Sequence, residues 1–298
     1  MKTIEKNKII GNTKYLSMHE FEIGHKVPIY LVEDIHDLNQ IIGYVKFINK
    51  ESGDIYYRGQ NKLYNTMQPS LYHLDDSGLS NPKKVKELNA LIKRIKNDTK
   101  LMKELNLDLS NPESDIIIES VLQHYGVPTR CNDVVDNHWI ALWFGAYRFE
   151  NKILDKCKYA TYHKRGVNYL GTDEEIHQYL ILVGGSKSDN LNGVSHQGKI
   201  VTVDLRKTLP STFLRPHSQH GIIIKNDVPK ECCDLAARVV CILKIRIDKA
   251  QSWIGDGKLV SYENLFPSEF HDRLYRILLN RNDIFVKSPF VPIKYIYE

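Results

Sequence analysis

The sequence predicts an α+β fold, helical in its N-terminal half and β-rich in its C-terminal half around one core, on three observations. Apolar residues recur at helical spacing in the first half of the chain. Short apolar or alternating runs, separated by Gly, Asn, Asp and Pro, dominate from residue 179 to residue 247. Those runs lack parallel βαβ alternation, and neither an internal repeat nor a linker rich in Gly, Ser or Pro divides the chain. The expected organisation is a lead-in over 1–33 and a single domain over 34–298.

Residues 1–33 read as irregular or short-strand, punctuated by Pro28. Asp34 is placed to cap a helix from about Ile35 to Asn49, with Asp37 at its third position and Leu38, Ile41, Ile42, Val45 and Ile48 at helical spacing. The turn cluster Glu51-Ser52-Gly53-Asp54 leads into a short β-rich run, Ile55 to Gly59. Helical spacing returns between Asn81 and Glu119, in Leu88, Leu91, Ile92 and Ile95 and then in Leu101 and Leu105, with Asn111-Pro112 as a break before a second helix. Trp139 to Phe144 is apolar enough for a core helix. Strands follow at Tyr179–Val183, Lys199–Leu205, Ile222–Lys225 and Val239–Ile247, and Ser268–Asn280 reads as an amphipathic helix with Phe270, Leu274, Ile277 and Leu278 on one face.

The chain has 298 residues, 42% of them hydrophobic, which is enough for a sizeable core and excludes a disordered chain. Its longest apolar runs fall far short of the roughly 20 residues of a membrane span, and Met1 to Gly11 has no signal-peptide core of about 7–15 apolar residues. Five cysteines, Cys131, Cys157, Cys232, Cys233 and Cys241, lack framework spacing and form no C-x-x-C pair, which suits a reducing cytoplasm. A net charge of +5 permits a polyanionic partner such as nucleic acid or a dinucleotide without demanding one.

Three clusters combine backbone-permissive residues with side chains that hold anions or move protons. In Tyr57-Arg58-Gly59-Gln60 an arginine leaves a strand end beside a glycine. Its guanidinium fork suits a phosphate or carboxylate, and Gly59 lets a ligand approach the backbone, although from residue type alone a strand-end Arg in a surface ion pair is the commoner reading. In His124-Tyr125-Gly126-Val127-Pro128-Thr129-Arg130, with Asp133 and His138 behind, the Thr129 hydroxyl and Arg130 fork are expected just before the N-terminus of a buried helix, a natural anion site. The bland alternative makes Thr129 or Asp133 a helix cap and His124 a satisfied core histidine. The third cluster, Arg215-Pro216-His217-Ser218-Gln219-His220-Gly221, runs into the strand that starts at Ile222.

Together these segments, with Gln68-Pro69-Ser70-Leu71 and Ala141-Leu142-Trp143-Phe144, resemble the FRG domain, from about residue 35 to about residue 285. Tyr57 stands where the family's aromatic-Arg-Gly signature implies Phe, Cys131-Asn132-Asp133-Val134 replaces the usual Leu-Leu-Asp-aromatic continuation, and His220 replaces a second Gln. The order of elements also resembles, more weakly, that of ADP-ribosyltransferases, which implies a split sheet and NAD as co-substrate. On that resemblance Arg58, His124, Thr129, Asp133, Gln219 and His220 form the catalytic set, and Arg58, Gly59, Gln60, Tyr125, Thr129 and Arg130 hold the dinucleotide. The usual catalytic Glu is absent, so Asp133 is expected to offset the oxocarbenium charge or His220 to deprotonate an acceptor.

The expected activity is therefore ADP-ribosyl transfer from NAD to RNA, DNA or protein by a cytoplasmic toxin or phage-defence effector, with a cognate antitoxin or regulator as partner and no metal. The alternatives are a non-catalytic nucleotide- or nucleic-acid-binding module and, ranked last, a metal-dependent nuclease built on His124, His217 and His220.

Overall fold

The computed structural model describes residues 1–73, 79–154, 157–187, 191–226, 234–286 and 288–296. Its strands, numbered along the chain, are β1 (Lys14–Glu20), β2 (Lys26–Val32), β3 (Ile55–Gln60), β4 (Asn132–Val135), β5 (Tyr147–Leu154), β6 (Cys157–Lys164), β7 (His177–Gly184), β8 (Val194–Gln197), β9 (Ile200–Asp204), β10 (Gly221–Asn226), β11 (Val239–Arg246) and β12 (Ile293–Tyr295). The longer helices are α1 (Ile35–Asn49), α2 (Asn81–Lys96), α3 (Thr99–Glu104), α4 (Ser114–His124) and α5 (His138–Ala146). Shorter ones follow at α6 (Asp173–Ile176), α7 (Leu205–Thr208), α8 (Leu214–Ser218), α9 (Ile247–Trp253), α10 (Tyr262–Leu265), α11 (Arg273–Asn280) and α12 (Asn282–Phe285). This is an α+β fold.

Nine strands form one mixed sheet in the order β1-β2-β11-β7-β3-β4-β10-β9-β8, and β12-β6-β5 form a small second sheet. The large sheet is parallel at β2–β11, and antiparallel at its other pairings. Its weakest seam is β3–β4, held at the one register pair Tyr57↔Val135, whereas β3 pairs β7 from Ile55 to Gln60. Two helical packs lie over the same face. One core cluster joins Leu38 and Val45 of α1, Leu142 and Trp143 of α5 and Ala250 of α9 to Tyr57, Leu182 and Leu243 of the sheet. Another joins Leu88, Ile92 and Leu122 of α2 and α4 and Leu274 of α11 to Val203 and Ile223. The gap between the two packs opens at the β3–β4 seam.

The residues expected as a lead-in belong to this sheet. Lys14–Glu20 is mostly solvent-facing, so its alternation carries little apolar signal, and Pro28 sits within β2 opposite Met18, yet Val27, Tyr30 and Val32 are fully buried. Local reasoning does better at α1, where Asp34 caps the helix through the N–H of His36 and the bounds match the expected ones. The C-terminal amphipathic helix starts later than its spacing suggests: Asp272 caps α11 by accepting from the Tyr275 N–H, and Phe270, left in the preceding turn, is 81% exposed. Cys131, Cys157 and Cys241 are free thiols, and Cys232 and Cys233 lie outside the described residues. No described helix is long and apolar enough to cross a membrane.

Candidate functional site

A cleft of about 520 Å³ opens where β3 and β4 part, a size in the usual range for small-ligand sites. Arg58, Gly59 and Gln60 of β3, Gln123 and His124 of α4, Asp133 of β4 and Gln219 beyond α8 all line it. Residues about 160 positions apart thus meet at one place.

Arg58 bridges the opened seam. Its Nη1 donates to the Asp133 carbonyl at 2.8 Å, a bond that replaces the missing main-chain ladder, and no protein acceptor takes its other N–H groups among the described residues. Burial lowers its pKa, while the neighbouring Asp133 charge works the other way. Gly59 beside it has a different role from the one expected. A Cβ there would overlap the Ala141 carbonyl, so it is α5, packed across β3, that needs the bare backbone, and not only a ligand.

The Asp133 side chain lies deep in the cleft but remains 41% exposed to it. Burial opposes its ionisation, yet His124, the Gln123 amide and Arg58 outweigh that effect and hold its pKa below the usual carboxylate range. The nearest His124–Asp133 contact is 3.7 Å from Nδ1 to Oδ1. Nε2 of His124 is buried without a partner among the described residues, as is Oε1 of Gln60. Such orphaned groups are uncommon in native structures and mark either strain or a place for a ligand. Gln219, 6% exposed, donates its amide to the Leu265 carbonyl at 2.8 Å and lines the cleft.

Four expected site residues stand elsewhere. Thr129 is fully buried behind the cleft and donates at 2.6 Å to Oε1 of Gln123, whose Nε2 in turn donates to Asp133. The helix-terminus anion site expected at Thr129 and Arg130 does not form, because β4 intervenes and Asn137 caps α5. Arg130 is spent on Glu119: Nε and Nη2 donate to its two carboxylate oxygens at 2.9 and 2.7 Å, and Lys225 adds a 2.7 Å contact. Glu119 is 1% exposed, and burial alone would raise its pKa, but Arg130 and Lys225 keep it lowered. Tyr125 is fully buried, its hydroxyl donating to Asp272 at 2.8 Å. His220 adopts a left-handed backbone (φ 50°) that turns it out of the cleft, where Nδ1 meets Asp136 at 2.8 Å and Arg206 at 3.1 Å. Among the described residues no three His, Cys, Asp or Glu side chains converge as a metal site, so the His124, His217 and His220 set does not assemble.

Sequence reasoning missed the opposite wall. Tyr162 of β6, Phe266 after α10 and Tyr295 of β12 line the cleft with rings in contact, their centroids 5.0 Å apart for Tyr162–Phe266 and 4.5 Å for Phe266–Tyr295. Behind them Arg215, fully buried, sits over the faces of Tyr125, Phe266, Tyr275 and Tyr295 at 4.3–5.2 Å. Its backbone N–H donates to the buried Asp272 at 2.8 Å. Gln123, immediately before the second motif, was given no role; its place on the last turn of α4, beside His124, was the available signal. Nothing local pointed to Tyr162 or Tyr295.

A mixed-sheet α+β protein with a ligand-sized cleft between two helical packs is the class these features define. Residues 53–152 match the FRG domain family, so the chain carries an FRG domain. The match contains Arg58–Gln60, the second motif, Asp133 and α5, and ends before the Arg215–Gly221 cluster, which the cleft nevertheless includes through Gln219. No curated protein and no solved structure gives a significant match to the chain.

Proposed function

We propose that this protein is an ADP-ribosyltransferase-like enzyme that takes NAD as co-substrate and modifies a nucleic-acid or protein acceptor. The observation that carries the reading is the meeting in one cleft of the open guanidinium N–H groups of Arg58, an ionised Asp133 and the orphaned Nε2 of His124. A dinucleotide suits this set: the Arg58 fork matches a diphosphate, and the orphaned Gln60 Oε1 and Gln219, which lines the cleft, match ribose hydroxyls. The aromatic wall of Tyr162, Phe266 and Tyr295 matches a flat heterocycle. NAD would supply the ADP-ribosyl group, with nicotinamide as leaving group.

In this reading Arg58 binds and orients the diphosphate, and the Asp133 carboxylate offsets the positive charge that develops on the ribose as its glycosidic bond lengthens. His124, poised by Asp133, takes the proton of the acceptor. Cellular roles as a toxin or defence effector, with a cognate antitoxin or regulator, belong to the same proposal. A split-sheet relationship to ADP-ribosyltransferases is supported by the single-pair β3–β4 seam at the cleft.

A second reading, a non-catalytic nucleotide- or nucleic-acid-binding module, is favoured by Gln219, an amide where a carboxylate would be expected. Incubation of the purified protein with labelled NAD and cellular RNA, DNA or protein separates them. Label transfer or nicotinamide release supports the enzyme, and saturable binding without either supports the module.

A further inference from the structure

We propose that the β5–β6 hairpin is a docking face for single-stranded nucleic acid, which it feeds into the cleft. This inference rests on the transferase reading only for what happens to the strand after it docks.

The hairpin pairs Tyr147↔Lys164 through Leu154↔Cys157, so alternate residues share a face. Tyr147, Phe149, Lys158 and Tyr162 fall on one face by that register, and all four line the cleft. The same face runs on past the cleft to Asn151 and to Ile153, which is 63% exposed. An aromatic ribbon therefore passes from the interior to the surface. Phe266 meets Tyr162 at 5.0 Å, Tyr162 meets Phe149 at 5.2 Å, and Phe149 is 38% exposed.

Charge decides what such a ribbon fits. On the ribbon's own face the cations are Lys158, opposite Ile153, and Lys164, which also meets Asp256 at 3.2 Å, while Arg148 and Lys152 lie on the other face with Glu150. Planar rings interleaved with cations are the recognition chemistry of single strands, whose bases stack on aromatic faces while phosphates meet lysine and arginine. A duplex keeps its base faces hidden and has no use for the ribbon. An extended peptide added to the free edge of β5 would use main-chain hydrogen bonds instead, and would be indifferent to the rings.

Fluorescence anisotropy with a labelled 12-nucleotide oligothymidylate or oligouridylate tests the proposal on the full chain, beside a duplex of the same length. We expect the single strand to bind at low salt and the duplex more weakly. Phe149→Ala, checked for folding by circular dichroism, should weaken binding about tenfold, consistent with the loss of one stacked base. Lys158→Gln should lower the slope of log affinity against log salt by about 0.7, the value for one phosphate contact on a single strand. No binding at low salt, a preference for duplex, or affinity unchanged by Phe149→Ala overturns the proposal. Calorimetric titration of NAD on the same samples keeps the two readings apart: NAD binding without oligonucleotide binding sinks the docking face alone, and the converse sinks the NAD site alone.

Discussion

Asp133 holds Arg58 with its main chain and faces the cleft with its side chain: the guanidinium Nη1 donates to the Asp133 carbonyl at 2.8 Å, on the strand where β3 and β4 have stopped pairing. The cation is thus fixed by a group that carries no formal charge. The carboxylate of the same residue stays available to a ligand.

Arg58→Lys keeps a cation but loses the fork, and it should reduce NAD affinity at least tenfold in calorimetric titration, with Arg58→Ala worse. Losing a charge-assisted hydrogen bond at the seam should also cost about 2 kcal/mol in urea unfolding. Full affinity in the Lys variant would show that the bidentate geometry is unused.

Tyr57→Phe should stabilise the protein. The Tyr57 hydroxyl is buried without a hydrogen-bond partner among the described residues, and desolvating an unpaired hydroxyl costs about 1–3 kcal/mol. Removing it should raise stability by about 1 kcal/mol, read as an increased urea midpoint at constant slope. A loss of stability would mean that the hydroxyl has an internal partner in solution, such as a trapped water.

Glu119→Gln should be among the most damaging single changes. It leaves the Arg130 and Lys225 charges facing each other in a site where Glu119 is 1% exposed, and breaking buried pairs in this way costs about 3–5 kcal/mol. Equilibrium unfolding measures it, and a cost below about 1 kcal/mol would mean that water reaches the cluster.

Gly59→Ala should prevent α5 from seating on β3, because the new methyl would overlap the Ala141 carbonyl. We expect a loss of about 3 kcal/mol or failure to accumulate as folded protein, seen in thermal melts. A variant with native stability would show that α5 can slide.

Two pH windows should be separable. Burial, with the nearby Lys46 charge, holds the His138 imidazole neutral down to about pH 4. The unfolded chain takes up that proton near the usual histidine value of about 6.5, so stability should decline as pH falls from about 6.5 to about 4. Asp133 acts lower: its folded pKa is depressed, so its stabilisation is present above the ordinary value of about 3.9 and is lost as pH falls further. Unfolding free energies across pH 7 to 2.5 should show both. His138→Phe should flatten the upper decline and Asp133→Asn the lower.

How well the residues announced the structure depends on whether the deciding contact was local. Asp34 and the spacing behind it define α1 within the element itself, and the same holds for β3 and for the apolar α5. β1 and β2 were obscure because their burial comes from strand partners, above all β11 more than 200 positions away. At the cleft, Arg58, His124, Asp133 and Gln219 came together as their motifs suggested. Arg130 and His220 did not, since a guanidinium or imidazole looks the same whether it awaits a ligand or is already paired, and Glu119 and Asp136 decide that in space. The aromatic wall drew one ring each from β6, the turn after α10, and β12, so no window of sequence contained it.

The Arg215 cage ties completion of the cleft to the arrival of β12. A chain synthesised only as far as residue 290 possesses Arg58, His124 and Asp133 but lacks Tyr295, which contributes both a ring over the Arg215 guanidinium and part of the cleft wall. The polar half of the pocket would exist before its aromatic half. During translation such a chain could grip an anion at Arg58 but would hold a flat heterocycle poorly, so that whatever the finished cleft does to its ligand is withheld until the strand at 293–295 emerges and docks.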